Sequence, residues 1–212
     1  MAPTDIHAAS GPHSSASITA TLRQQTRVSH ERIERVPRLA HLFMPDYRRD
    51  DYRDLLARLY GFYEAMESAL FADLPAFAQA VLGHRRKSRL LARDLRALGV
   101  KRADFEHLPL CFKLPPLDSY AARMGVFYVL EGATLGGELI RRQLLEHFGV
   151  EISPALNFYG CYGDEAGAEW RAFRNFMTDY FDGCQQSIDD AVSSANAAFT
   201  CLEEWLAQET ES

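Results

Sequence analysis

His30 and Glu34 stand one helical turn apart in Leu22-Arg-Gln-Gln-Thr-Arg-Val-Ser-His30-Glu-Arg-Ile-Glu34. At that spacing a carboxylate can accept a hydrogen bond from one imidazole nitrogen while the other nitrogen offers its lone pair to a metal. On a helical wheel Ile18, Leu22, Thr26, His30 and Ile33 share one stripe, which aims the imidazole at the core. Arg23 precedes His30 by two turns on nearly the same face and offers a cation to an anionic group. The same residues also read as a buried histidine satisfied by Glu34, with Arg23 in solvent; the spacing alone leaves both readings open.

A second cluster lies in Tyr128-Val-Leu-Glu-Gly-Ala-Thr-Leu-Gly-Gly-Glu-Leu-Ile-Arg141. Each glycine inside a helix costs about 1 kcal/mol relative to alanine, so Gly132, Gly136 and Gly137 together give up roughly 3 kcal/mol of helix preference. Something must compensate. Either the missing side chains let a neighbouring helix pack closely, or they let a ligand lie against the backbone.

The elements that must position these residues are helical throughout. No run alternates apolar and polar residues, and apolar positions recur at three and four. Helices are predicted over 18–36, ended by Pro37, and over 48–71, where Tyr52, Leu55, Leu59, Phe62, Met66 and Leu70 form one stripe. Shorter ones cover 75–82 and 87–98, the latter capped by Gly99. After a proline-rich loop at 109–116, a long helical region over 119–148 is interrupted by its three glycines. A connection at 157–163 leads to helices over 165–181 and 185–207, the last with Ile188, Val192, Ala195, Phe199, Leu202 and Leu206 on one face. The expected fold is an all-α, single-domain multi-helix bundle over 18–208, between an N-terminal tail at 1–17 expected to lack order and a short C-terminal tail at 209–212.

Composition narrows the function. The 212 residues are 47% hydrophobic and 25% charged, ordinary for one globular domain. Net charge is −6, against generic binding to nucleic acid or anionic lipid. Residues 1–106 carry 17 Lys/Arg against 13 Asp/Glu, so an anion site is expected to draw on that half. No apolar run is long enough for a membrane span and the first 17 residues do not read as a secretory signal, which makes cytoplasmic residence the expectation. Cys111, Cys161, Cys184 and Cys201 lie far apart without a C-x-x-C pair and read as reduced structural thiols. No Glu-x-x-His pair, phosphate loop, dinucleotide fingerprint or serine-hydrolase elbow occurs. The basic run Arg85, Arg86, Lys87, Arg89, Arg93 and Arg96 reads as a hydrated helix face or as a docking face for an acidic protein.

Taken together, the segments around His30 and around Gly132 to Gly137 resemble the haem (heme) oxygenase family, particularly its bacterial, biliverdin-producing branch. The first is similar to the family's proximal helix, L-[RK]-x-x-T-x-x-x-H-x-x-x-E, and the second to its glycine-rich distal helix, in the same order. The resemblance implies haem sandwiched between the two, as cofactor and substrate. It implies cleavage to biliverdin, carbon monoxide and ferrous iron, with O2 and electrons from a ferredoxin or an NAD(P)H-dependent reductase. His30 would be the axial iron ligand, oriented by Glu34, with Gly132, Gly136 and Gly137 over the opposite porphyrin face. Arg23 matches a propionate-binding basic position; Arg174 matches a second one more loosely, and Phe199 matches an aromatic pocket residue or simply packs in the core. Where animal members carry an aspartate after the first distal glycine, this chain has Ala133, which leaves the residue that orders the distal water unassigned; Glu131 and Thr134 are its neighbours. The resemblance implies a monomer. It leaves open iron acquisition or pigment supply to a bilin-binding photoreceptor, and also a haem-binding carrier or sensor that never turns over.

Overall fold

A computed structural model describes residues 17–72, 74–182 and 185–208. The expected tails fall outside the described residues except for Ser17, which caps the first helix by accepting from Ala20 N. Cys184 also lies outside them.

Among the described residues the chain forms nine α-helices and no strand: α1 (Ile18–Gln25), α2 (Arg27–Ile33), α3 (Pro37–Ala40), α4 (Arg49–Ala72), α5 (Ala76–Leu82), α6 (Ser88–Ala97), α7 (Tyr120–Phe148), α8 (Ala166–Phe181) and α9 (Gln185–Ala207). Short 3-10 turns link several of them. The stripe predicted on α4 is buried along its whole length. Gly99 closes the α6 segment at φ +91°, a backbone conformation that L side chains rarely adopt. No helix among the described residues is long and apolar enough to cross a membrane.

The first predicted helix is broken. Thr26 leaves helical geometry (φ −102°, ψ 1°), and both its N–H and its hydroxyl donate to the Leu22 carbonyl, at 2.9 and 2.8 Å. A threonine hydroxyl that competes for the backbone acceptor in this way commonly bends a helix. Residues 18–33 therefore form two helices, and the chain turns again at Pro37, where α3 begins.

The long glycine-bearing segment has the opposite outcome: α7 is one uninterrupted helix of 29 residues, about 43 Å at 1.5 Å per residue. Ser119 starts it by accepting from Ala122 N at 3.0 Å, and Gly149, at φ +80°, ends it. Its principal partner is α9, where Ala191, Ala195 and Ala198 are fully buried. A Cβ on Gly125 would collide with the Ala191 carbonyl oxygen, so this glycine is what lets α7 and α9 approach so closely.

On the other side of the core, buried Asp94 on α6 accepts from the Asn157 backbone N–H at 2.8 Å, from Asn157 Nδ2 at 2.7 Å and from Phe158 N at 2.8 Å. Burial pushes this carboxyl up, while those hydrogen bonds pull it down. Removing the acceptor strands two backbone donors, so Asp94→Ala is expected to lower stability by about 1–3 kcal/mol. A shift of the urea midpoint at unchanged slope is the measurement.

Candidate active site

Three interactions fasten the His30 segment to α9. Ser29 Oγ donates to Asn196 Oδ1 at 2.6 Å, Arg32 pairs with Glu203 at 2.6 Å, and the His30 ring meets Phe199 edge-to-face at 5.8 Å. Glu34 Oε1 lies 3.4 Å from His30 Nδ1. The expected orienting carboxylate is thus beside one ring nitrogen, and Nε2 carries no hydrogen bond among the described residues.

The imidazole does not point at the core. The His30 side chain is 57% exposed and Glu34 is exposed beside it. Ser29 and Ile33, which meet α9 and the core, centre the inward direction of α2, and His30 stands roughly 80° around the helix from that centre at 100° per residue. It occupies the rim of the helix pair, not its interface.

The glycines of α7 divide by face. Gly137 is a packing residue: a Cβ there would lie 2.6 Å from the Tyr159 carbonyl oxygen. At Gly132 and Gly136 a Cβ would meet nothing within 4 Å. With Leu135 (53% exposed) and Leu139 (64%) these two form an i, i+3, i+4, i+7 stripe that is apolar yet open to solvent. One turn before Gly132, the Tyr128 hydroxyl interacts with the side chain of Thr26, which itself sits one turn before His30. That contact brings the open glycine stripe and the histidine each within about 6 Å, measured along its own helix, of one shared point.

This division is testable. Gly137→Ala is expected to cost about 1–3 kcal/mol through overpacking, whereas Gly132→Ala should leave stability unchanged or raise it by up to about 1 kcal/mol. Paired thermal melts read the difference.

Arg23 on α1 and Arg174 on α8 are both exposed and form no salt bridge among the described residues, and α1 packs against α8. Phe199 is buried in the core, and its ring meets that of His30.

Glu131 is not available to the open stripe. Its side chain, 2% exposed, turns inward to a short ion pair with Lys87 Nζ; Arg85 Nη1 donates to it at 2.8 Å and the Tyr162 hydroxyl at 3.1 Å. Arg85 also bridges to Glu169 at 2.8 Å, and Glu67 accepts from the backbone N–H of Lys87 at 2.6 Å. Burial and the charge of Glu131 push the Tyr162 phenol well above its ordinary range, so it stays a donor. Thr134 turns its hydroxyl back to the Glu131 carbonyl at 2.7 Å.

The basic run is therefore not one hydrated face. Arg85 and Lys87 precede α6 and are buried at 1% and 2% of their side chains, while Arg89, Arg93 and Arg96 ride its outer face. Their i, i+4, i+7 spacing, which the first three do not share, is the signal that separates the groups. A single acidic residue after the apolar run 124–130 is the matching signal that an internal cation was needed.

No cluster of three or more His, Cys, Asp or Glu that could hold a free metal ion occurs among the described residues.

Against this geometry, the family model for heme oxygenase matches residues 16–208. A heme oxygenase from Xanthomonas campestris pv. campestris (strain 8004) is 31% identical over 158 residues, covering 72% of this chain and 89% of that one. Among solved structures, heme oxygenase from Leptospira interrogans superposes with a TM-score of 0.73 at 15% identity, over 90% of this chain and 98% of its own. Heme oxygenase from Neisseria meningitidis superposes at 0.67 and 18%, over 93% and 96%. A heme-complexed heme oxygenase-1 from Synechocystis sp. PCC6803 gives 0.66 and 18%, over 90% of each chain. The fold is the one these structures share, and with the family's pattern running through nearly its whole length, this chain belongs to the heme oxygenase family.

Proposed function

We propose that the protein converts haem to biliverdin, carbon monoxide and ferrous iron, using O2 and electrons from a separate donor of the ferredoxin or NAD(P)H-dependent reductase type. The observation that carries this reading is the pairing of a carboxylate-backed imidazole on one helix with an open, apolar, glycine-bearing stripe on another, joined at Thr26 and Tyr128. The residues fit haem: a flat apolar molecule with a central metal and two carboxylates matches one imidazole nitrogen, an exposed apolar stripe and two exposed cations that form no salt bridge among the described residues.

Bound haem supplies the iron that activates oxygen and the porphyrin that is opened. His30 would hold the iron through the ring nitrogen that faces away from Glu34, and Glu34, 3.4 Å from Nδ1, would orient the ring. The Phe199 edge limits rotation of that ring. Arg23 and Arg174 pair with the propionates and so set the angle at which the substrate lies. Gly132 and Gly136 let the planar substrate rest against the α7 backbone.

The same stripe keeps acid away from the oxygen side. Residues 132–137 carry no titratable side chain, Ala133 adds none, and Glu131 is held inside by Lys87 and Arg85. Protons must then come from solvent rather than from a strong side-chain acid. The lack of a carboxylate on the stripe also favours a second reading, a haem carrier or sensor without turnover.

One experiment separates these. Hemin titrated into the protein should give a saturable Soret band; reductant and O2 should then replace that band with bilin absorbance. A stable oxygen complex without bilin would select the carrier, and no saturable change would remove both.

A further inference from the structure

Cys111, in the loop before α7, and Cys201, on α9, are 90 positions apart, yet their sulfurs lie 3.6 Å from each other. Both converge on the Lys113 carbonyl oxygen, Cys201 at 2.8 Å and Cys111 at 3.6 Å. They are held together by one stretch of α4: the Cys111 N–H donates to the Gly61 carbonyl at 3.1 Å, and Trp205 Nε1, on α9, donates to the Arg58 carbonyl at 2.7 Å. A Cβ on Gly61 would collide with the Pro109 carbonyl, so the loop is seated directly on the α4 backbone. Two sulfurs already in contact need only small side-chain rotations to reach the bonded separation of about 2.05 Å.

A cleft of about 20 Å³, lined by Cys111, Phe112, Lys113, Cys201, Glu204 and Trp205, opens onto the pair. A space of that size takes a water-sized molecule. We propose that Cys111 and Cys201 are a dithiol oxidation site, converted to an intramolecular disulfide by hydrogen peroxide or a hydroperoxide of similar size.

Cys111 sulfur attacks one peroxide oxygen; the S–O bond forms, the O–O bond breaks, and the leaving hydroxide takes a proton to become water. Cys201 sulfur then displaces the hydroxyl from Cys111; the S–S bond forms, the S–O bond breaks, and the Cys201 proton leaves with the hydroxyl as a second water. Two thiols lose two electrons in total and one peroxide gains them. The order of attack follows from the surroundings. The contact with Cys201 and the Lys113 backbone lower the Cys111 thiol to about 7, favouring its thiolate, whereas the same contact and burial raise Cys201. Burial pushes Cys161 up to about 11, which makes it an internal control. The resulting crosslink would tie the 108–118 loop to α9 two residues beyond Phe199.

The test uses the full chain, reduced and then given stoichiometric hydrogen peroxide. Non-reducing peptide mapping should find the Cys111 and Cys201 peptides joined within one molecule, two hydrogens lighter, and released by dithiothreitol. In Cys201→Ser a sulfenic-acid trap should label Cys111; in Cys111→Ser thiol consumption by peroxide should slow at least about tenfold. Far-UV circular dichroism confirms that both variants are folded, and the wild-type mapping stands without them. Persistence of all thiols after peroxide, a crosslink between molecules, or labelling of Cys161 ahead of Cys111 would overturn the proposal.

Discussion

Replacing Glu131 with leucine is expected to destabilise the protein by roughly 3–5 kcal/mol, the cost of leaving a buried charge uncompensated. Three side chains converge on this carboxylate, and Lys87 depends on it most. Without Glu131, Lys87 Nζ keeps one hydrogen bond, to the Arg85 carbonyl at 3.5 Å, and the face of the Tyr162 ring at 5.6 Å, with a side chain that is 2% exposed. Arg85 fares better because Glu169 and the Val81 carbonyl still bind it, both at 2.8 Å. Such a loss is a large share of the 5–15 kcal/mol that holds a typical domain folded, and it corresponds to a fall in Tm of roughly 6–20 °C. The pair itself is not worth that much, since a buried ion pair roughly breaks even against well-packed apolar residues. Glu131→Leu combined with Lys87→Met is therefore expected to recover a good part of the stability that Glu131→Leu loses. A double mutant no more stable than the single one would show that the effect lies in packing at residue 131 and not in the stranded charge.

The opposite pattern is expected at His30. Its side chain is largely in solvent and its contacts are one ring edge and one carboxylate, so His30→Ala should change stability by no more than about 0.5 kcal/mol. The hemin complex, in contrast, should lose its nitrogen-ligated Soret band, and bilin formation should fall to background. Added imidazole should restore part of the spectrum, because the missing group is a free nitrogen lone pair and the remaining walls are intact. Glu34→Gln should be milder, with a loss of affinity or rate of about 10–100-fold, as for other groups that orient a metal-bound histidine. A His30→Ala protein that binds and degrades haem normally would place the ligand elsewhere.

These two residues also illustrate what could be read from the chain. The bounds of α4, α7 and α9 came within one residue because their apolar stripes are long and their ends are marked by Ser119, Gly149 and similar signals. The His30–Glu34 pair was legible because i, i+4 spacing alone puts the two side chains side by side. The break at Thr26 was not, since a threonine hydroxyl that bonds within its helix looks no different in sequence from one in an unbroken helix. That break, with the position of α9, moved His30 from the core to the rim.

Contacts made over long separations stayed invisible for a simpler reason. Nothing in the run Arg85 to Arg96 says that two of its members find an acid 44 and 46 positions on. Nothing near Cys111 points to Cys201. The three glycines of α7 share one composition signal, and only the neighbouring chain decides that Gly137 accommodates the Tyr159 carbonyl while Gly132 and Gly136 face open space.

The contrast between the jointed α1–α2 pair and unbroken α7 has a mechanical consequence. α7 is clamped against α9 at Gly125, anchored by the Glu131 charges and seated on Tyr159 at Gly137, so it behaves as a stiff beam along the wall that bears the open glycines. The broken α1–α2 pair gains its rigidity differently, through the α9 contacts of Ser29, His30 and Arg32, so both helices that bear the candidate site are braced on one common partner, α9.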